Sequence, residues 1–555
     1  MNGNALGLGL AICLAWLGGV GLPDAQAAGG TVKGKITGPQ GALEGAYVGA
    51  HPAGKTLTQY VMTDPMGQYT FRDLPAGAYE IFTVIPGFRM ASKEGVSVKE
   101  GSEAVADLRV EAETDVRQLV EQATNSELME SFPGTKQQKE GLMHRCDGCH
   151  GAYYPAMSRF SRKDWGIIVG LMKDEKITPV GDVHPGVRRP PRADPGAVRE
   201  ESYFSEKEVP LSDDNSLADY LTEIRGPGSP ELKIKLFPRA TGQLTRGKVT
   251  EYQIPRPLAV PHDVLKDPNS RYIWYNDWRK NVLGRVDPVS GEIQEYPIPG
   301  THMPEGFLSL SWDHEGHLWA GQLWSGRIVK FDVRAGKFLG AWAVPLQPSR
   351  SGTAGVCSQF AHPEGPVWVS DSLRGKIWKL HPATGEFAEL PWTGSRFLCD
   401  SQGGIWRLRP GGVNRIDPKT NKVTEYKAPT RDADPHRETL DGDENIWYGD
   451  WAKAKISYLD RKVGKIVEFP ALTPWSRIYN AVGDHRKRVG YAVPHVSDVV
   501  MRAEVTTGKV TEYPLPSRGH AVRNVDIDMS TDPPTLWFVN QRHGKIVRFQ
   551  EYSSR

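Results

Sequence analysis

Five consecutive residues, Cys146-Asp147-Gly148-Cys149-His150, hold the sharpest chemistry in the chain. Two thiols three positions apart can each add to a haem vinyl group, and the adjacent imidazole then reaches the iron as proximal ligand. A redox dithiol of the same spacing needs no following His and belongs in a βαβ unit. A zinc half-site wants a second Cys/His pair at short range, and none follows. The expectation is one covalent haem c on Cys146 and Cys149 with His150 on the iron. For the distal ligand Met172 is preferred, with Met157 and His184 as alternatives and a plain core methionine as the bland reading of Met172.

The elements that must carry this motif are helical. From about Asp115 to Gly228, Ser161 precedes Asp164 as a cap, and Trp165, Ile168, Val169 and Met172 follow at helical spacing. Ser212 caps a second run with Leu217, Tyr220, Leu221 and Ile224 on one stripe, stopped by Gly226-Pro227. Pro179–Arg199 reads as loop, and its cluster Arg188, Arg189 and Arg192 is either a steering patch for an acidic redox partner or a solvated surface.

On either side the chain turns to strands. Gly (59) and Pro (42) are abundant in the 555 residues, which disfavours a helical bundle and suits short strands joined by tight turns. Thr31–Ile36, Ala46–Ala50, Tyr69–Phe71, Tyr79–Val84 and Val105–Val110 alternate and are broken by turns, which predicts a small antiparallel sandwich over 30–112. From 240 to 555 a unit repeats: Trp274, Trp319, Trp368, Trp406, Trp447, Tyr491 and Trp537 recur every 38 to 49 residues on apolar strands read as the inner ones. That period fits a seven-bladed β-propeller. Gly247–Ile254 has no inner strand ahead of it and is expected to close the ring as the last blade's outer strand. The fold class is thus mainly β and multidomain: a transthyretin/Ig-like β-sandwich, a small α-helical domain over 115–228 and a propeller.

The propeller reading places further candidates. Segments leading into each innermost strand converge at one mouth of the channel, the default ligand site. They carry His262 and Asp263, Glu305, Arg396, then His436, Arg437 and Glu438, Arg477, and His520 with Arg523. So many ionisable residues suggest a polar pocket that binds an anion or a divalent metal, against the bland reading of exposed loop-end charges. Cys357 and Cys399 are either a disulfide or two buried thiols. Ala5 to Leu22 is uncharged and mostly apolar and runs to Ala25-Gln26-Ala27, a secretory signal over 1–27. No Lys or Arg precedes it, so an uncleaved anchor is the alternative. The expected protein is periplasmic or otherwise exported and soluble after signal removal. With 68 basic and 66 acidic residues, nothing global points to nucleic acid.

Three resemblances follow from these motifs. Gly45-Ala46-Tyr47-Val48, Gly67-Gln68-Tyr69-Thr70-Phe71 and Leu74-Pro75-Ala76-Gly77-Ala78-Tyr79 resemble the carboxypeptidase regulatory-like domain, which implies an accessory role without catalysis. The Cys146–His150 segment resembles a mono-haem class I cytochrome c domain. The blades, with Glu295-Tyr296-Pro297-Ile298-Pro299 and Gly284-Arg285-Val286-Asp287-Pro288, resemble the streptogramin (virginiamycin B) lyase family. That family opens a cyclic ester with a His, a Glu and Mg²⁺. His520 matches the His, but Asn540 stands where the Glu is expected, and an amide exchanges no proton near neutral pH. The leading expectation is an electron-transfer or oxidoreductase subunit with a redox partner protein, whose propeller binds a substrate or partner. The alternatives are a carbon-oxygen lyase using His520, His436 and Glu438 with an accessory haem, and a non-enzymatic binding protein.

Overall fold

The computed structural model describes residues 29–146, 151–173, 214–298, 306–322, 325–345, 356–361, 365–371, 375–393 and 396–552, without the side chains of 145–146, 171–173, 214, 356–361 and 371. The N-terminal sandwich packs Val32, Ile36, Phe71 and Ile81 between two sheets. Gln68–Leu74 alternates exposed and buried side chains, as a half-buried strand must. It pairs antiparallel with Gly30–Gly38. The expected strand Val105–Val110 is instead two short ones, Glu103–Val105 and Leu108–Arg109, both parallel to Gly30–Gly38. The sandwich is therefore not purely antiparallel.

Six four-stranded meanders follow: blade 1 from Pro261–Lys266 to Ile293–Pro297, blade 2 from Phe307–Trp312 to Lys337–Ala343, blade 3 from Val356–Ala361 to Glu386–Thr393, blade 4 from Leu398–Cys399 to Val423–Lys427, blade 5 from Pro435–Leu440 to Lys465–Pro470, and blade 6 from Val482–Asp484 to Val510–Pro514. The seventh consists of Asp526–Asp528, Thr535–Asn540 and Lys545–Glu551, and Gly247–Gln253 completes it, Val249 opposite Phe549. The first strand of blade 7 touches that of blade 1, so the ring closes as the sequence implied.

The aromatic strand proves to be the second of each blade, not the innermost. Lying between neighbouring blades, Ile273–Asp277 and Ile446–Asp450 are buried at every position, while the outer strand Lys337–Ala343 alternates. Trp319, Trp406 and Trp447 are fully buried, and each donates its indole N–H to an aspartate in the preceding hairpin: Asp313 (2.9 Å), Asp400 (2.9 Å) and Asp441 (3.0 Å). A buried indole needs such an acceptor.

One sheet runs through two of these units. Leu57–Met62 of the sandwich pairs antiparallel with Gly247–Gln253, which makes an eight-stranded sheet from Asp526–Asp528 to Ser92–Val98. At this joint Glu251 receives Lys545 of its own blade (2.6 Å) and, across the joint, the Tyr60 hydroxyl (3.3 Å).

Among the described residues six helices lie between: α1 (Val116–Gln122), α2 (Asn125–Ser131), α3 (Lys136–Cys146), α4 (Tyr153–Met157), α5 (Arg162–Lys173) and α6 (Asp214–Arg225). Thr124 and Glu127 form a reciprocal capping box on α2. Ser161 Oγ accepts from the Asp164 N–H at the start of α5, as expected. Leu142, Trp165, Val169, Leu217 and Leu221 form their shared core. Among the described residues no helix is long and apolar enough to cross a membrane.

Candidate functional site at the propeller mouth

The first strands of blades 1 and 5 begin alike. Pro261 and Pro435 face Asp277 and Asp450, and a bulge then shifts the register before Val264 and Glu438. A bulge re-aims the residues inside it. Here these are His262-Asp263 and His436-Arg437. Each second strand is followed by a tryptophan on which the histidine stacks: His262 on Trp278 at 5.0 Å and His436 on Trp451 at 5.3 Å.

The two modules meet across the channel. Arg437 of blade 5 grips Asp263 of blade 1 with two bonds, 2.8 and 2.5 Å, and its Nη1 also donates to the Arg523 carbonyl of blade 7 at 3.3 Å. Such a fork-on-carboxylate pair is the strong form of an ion pair. It holds Asp263, buried to 0% exposure, far below the usual carboxylate range although burial pushes the other way. Other cations converge here. Arg396 of blade 4 donates to the Tyr479 hydroxyl at 2.7 Å, Arg477 lies over Trp451, and Arg523 bonds Gln541 at 2.9 Å.

These cations set the ionisation of their neighbours. Burial, followed by the charges of Arg523 and Arg437, outweighs Asp263 and lowers His262 to about 4. His436 falls well below its ordinary value through burial, then Arg396. His495, which follows the second strand of blade 6, falls likewise through burial and Arg523. All three rings are neutral at pH 7. Burial pushes the Glu438 carboxyl up to about 7, with Arg396 pulling against it. The mouth is thus cationic and offers neutral imidazoles and a carboxyl that can hold or release a proton near neutrality.

Of the residues singled out in the sequence, His262, Asp263, Arg396, His436, Arg437, Glu438, Arg477 and Arg523 gather here. Glu305 lies outside the described residues, as do Cys149, His150 and the side chains of Cys146 and Met172. His520 is placed elsewhere. Its Nδ1 meets Asp498 at 2.7 Å and its Nε2 meets Ser517 at 3.4 Å, on the shoulder between blades 6 and 7. Asn540 donates to the same Ser517 at 2.9 Å. Sequence reasoning missed Trp278, Trp451, Tyr479 and His495. The signal for the tryptophans was the near-identity of Trp274-Tyr-Asn-Asp-Trp278 and Trp447-Tyr-Gly-Asp-Trp451. Asp277 and Asp450 close the strand ends, Asp277 by pairing with Arg256 at 2.6 Å.

A divalent metal was one of the two ligands, with an anion, that the propeller's ionisable residues suggested. Among the described residues the group with ligand spacing is Asp313, Glu315 and His317, in the first hairpin of blade 2 and away from the mouth. Lys330 Nζ sits 3.1 Å from both carboxylates, where a cation would have to displace it.

Residues 31–111 match the carboxypeptidase regulatory-like domain. No curated protein matches the sequence. Among solved structures, virginiamycin B lyase from Staphylococcus aureus is similar at 19% identity and TM-score 0.47, covering 55% of this chain and 100% of that one. A streptogramin B lyase structure is similar at 21% identity and TM-score 0.48, covering 56% and 100%. Kuenenia stuttgartiensis hydrazine synthase is similar at 12% identity and TM-score 0.43, covering 54% and 98%. These are likenesses between propellers and carry no activity across.

Proposed function

We propose that the chain is an exported mono-haem c-type cytochrome whose propeller mouth binds the small molecule or partner with which the haem exchanges electrons. The donor set fits the group in its chemistry, two thiols and an imidazole within five residues of sequence that begin at Cys146, the last residue of α3, a helix packed on α5 and α6 through Leu142. Cys146 and Cys149 would hold the haem by thioether bonds and His150 would ligate its iron, with Met172 of α5 as the distal candidate. When bound, a haem supplies one-electron chemistry.

The observation that carries the reading is where this segment docks. Gly151, the residue after His150, has φ +68°, and a Cβ there would stand 3.6 Å from Val496, next to His495 of the mouth. Arg542, beside Gln541, lies over the Tyr153 ring at 3.4 Å and pairs with Glu121 at 2.5 Å, and Trp475 donates to Glu130 at 2.6 Å. Gly151, the residue that follows the motif, lies against the residue next to His495 of the mouth, which supports electron exchange between a haem held there and the mouth, and with an outside redox partner protein. The chain's own residues do the rest: the arginines attract and orient, Glu438 takes or returns a proton, and the packed rings exclude water.

A pyridine haemochrome spectrum of the periplasmic protein tests the reading. A c-type α-band that survives acid-acetone extraction is expected, and Cys146→Ser with Cys149→Ser abolishes it. Absence of the band in the wild-type protein matured with haem overturns the proposal.

A further inference from the structure

The mouth holds buried polar atoms whose bonding is unfinished. His262 Nδ1 lies 2.9 Å from Asp263 Oδ1, and His495 Nδ1 lies 3.1 Å from the Val522 carbonyl. Both partners are acceptors, so in each neutral ring Nδ1 carries the proton and Nε2 presents a lone pair. Both rings are at 0% exposure, and neither Nε2 has a hydrogen-bond partner. The two carboxyl oxygens of Glu438, a residue 5% exposed, have none either. Buried polar atoms are almost always satisfied, so these point to a ligand that donates hydrogen bonds.

That ligand is not a cation. The four guanidiniums of Arg396, Arg437, Arg477 and Arg523 surround the site. No imidazole and carboxyl atoms of the mouth form a group of three within 4.8 Å of one another among the described residues. Guanidinium forks instead match carboxylate oxygens. The lone pairs on blades 1 and 6 and the carboxyl on blade 5 are separated around the channel, so several hydroxyls on one molecule are needed to reach them.

We infer that the propeller mouth is a binding site for a polyhydroxylated carboxylate, a molecule of the sugar-acid class, whose carboxylate faces the arginines and whose hydroxyls donate to His262, His495 and Glu438. The inference rests on the mouth being the ligand site proposed above and says nothing about the haem.

Isothermal titration calorimetry on the full-length haem-loaded protein, with tryptophan fluorescence as a second readout, compares gluconate and galacturonate with galactose and hexanoate. At least one of the two sugar acids is expected to bind about tenfold or more tighter than either control, since each lacks one half of the recognition. Arg477→Gln weakens that sugar acid about tenfold. His495→Phe, which keeps a ring against Trp451 and Tyr479 but removes the lone pair, weakens it severalfold and leaves hexanoate unchanged. Hexanoate binding as tightly as both sugar acids, or no binding of any probe at millimolar concentration, overturns the inference and leaves buried water as the partner of these atoms. The α-band in the same sample reports the haem separately, so the two readings fail independently.

Discussion

Replacing Glu438 by Gln isolates a buried carboxyl of the mouth that makes no ion pair among the described residues. Its folded-state pKa is about 7 against an ordinary 4.5. Below pH 4.5 both folded and unfolded chains hold the proton. Between 4.5 and 7 the unfolded chain releases it while the folded one keeps it, so stability falls as pH rises. At about 1.4 kcal/mol for each tenfold difference in proton affinity, the full loss above pH 7 is about 3 kcal/mol. Glutamine mimics the neutral carboxyl and suffers no such loss. The variant should therefore match the wild type near pH 4.5 and exceed it at pH 8 by about 3 kcal/mol, or about 6 °C in Tm. Differential scanning calorimetry of the propeller transition at several pH values measures this. Parallel wild-type and variant curves from pH 4.5 to 8 would refute the buried neutral state of Glu438.

Three further changes probe the frame. His262, lowered to about 4 from 6.5, gives stability that is present above pH 6.5 and lost as pH falls toward 4; His262→Gln should flatten this acid limb by about 3 kcal/mol in the same calorimetry. A Cβ at Gly490 would stand 2.1 Å from Trp447 Cζ3, so Gly490→Ala should cost about 1–3 kcal/mol in urea unfolding through overpacking. Glu251→Ala strands Lys545 in the joint between sandwich and propeller, and should cost about 3–5 kcal/mol and separate their melting into two transitions.

Seven blades were legible because Trp274 to Trp537 keep a blade-length period, and ring closure because Gly247–Ile254 lacks an inner strand. Depth within a blade was not: a repeat shows which strands are equivalent but not which of four lies nearest the axis. Leu57–Met62 was missed because it pairs on both edges, with Tyr47–Pro52 and with the propeller, and its burial does not alternate. No local pattern announces a partner some 190 residues away. The mouth was half legible. Polar residues at the strand starts stood out, whereas His495 sits after a second strand in an apolar stretch, and only the neighbouring blades reveal its role.

The difference between blades 1 and 5 explains how a repeat acquires a site. In the shared register, Asp263 of blade 1 corresponds to Arg437 of blade 5, and these opposite charges meet across the channel, where two identical ones would repel. One position later, Val264 corresponds to Glu438. Val264 is wholly buried, and the slot is equally buried in blade 5, which is why the Glu438 carboxyl is pushed up rather than ion-paired. An apolar side chain in that slot would make the more stable propeller. A carboxyl placed there, with both oxygens unbonded in a mouth that also holds two lone-pair imidazoles, makes sense when a ligand completes the bonding that the fold leaves open.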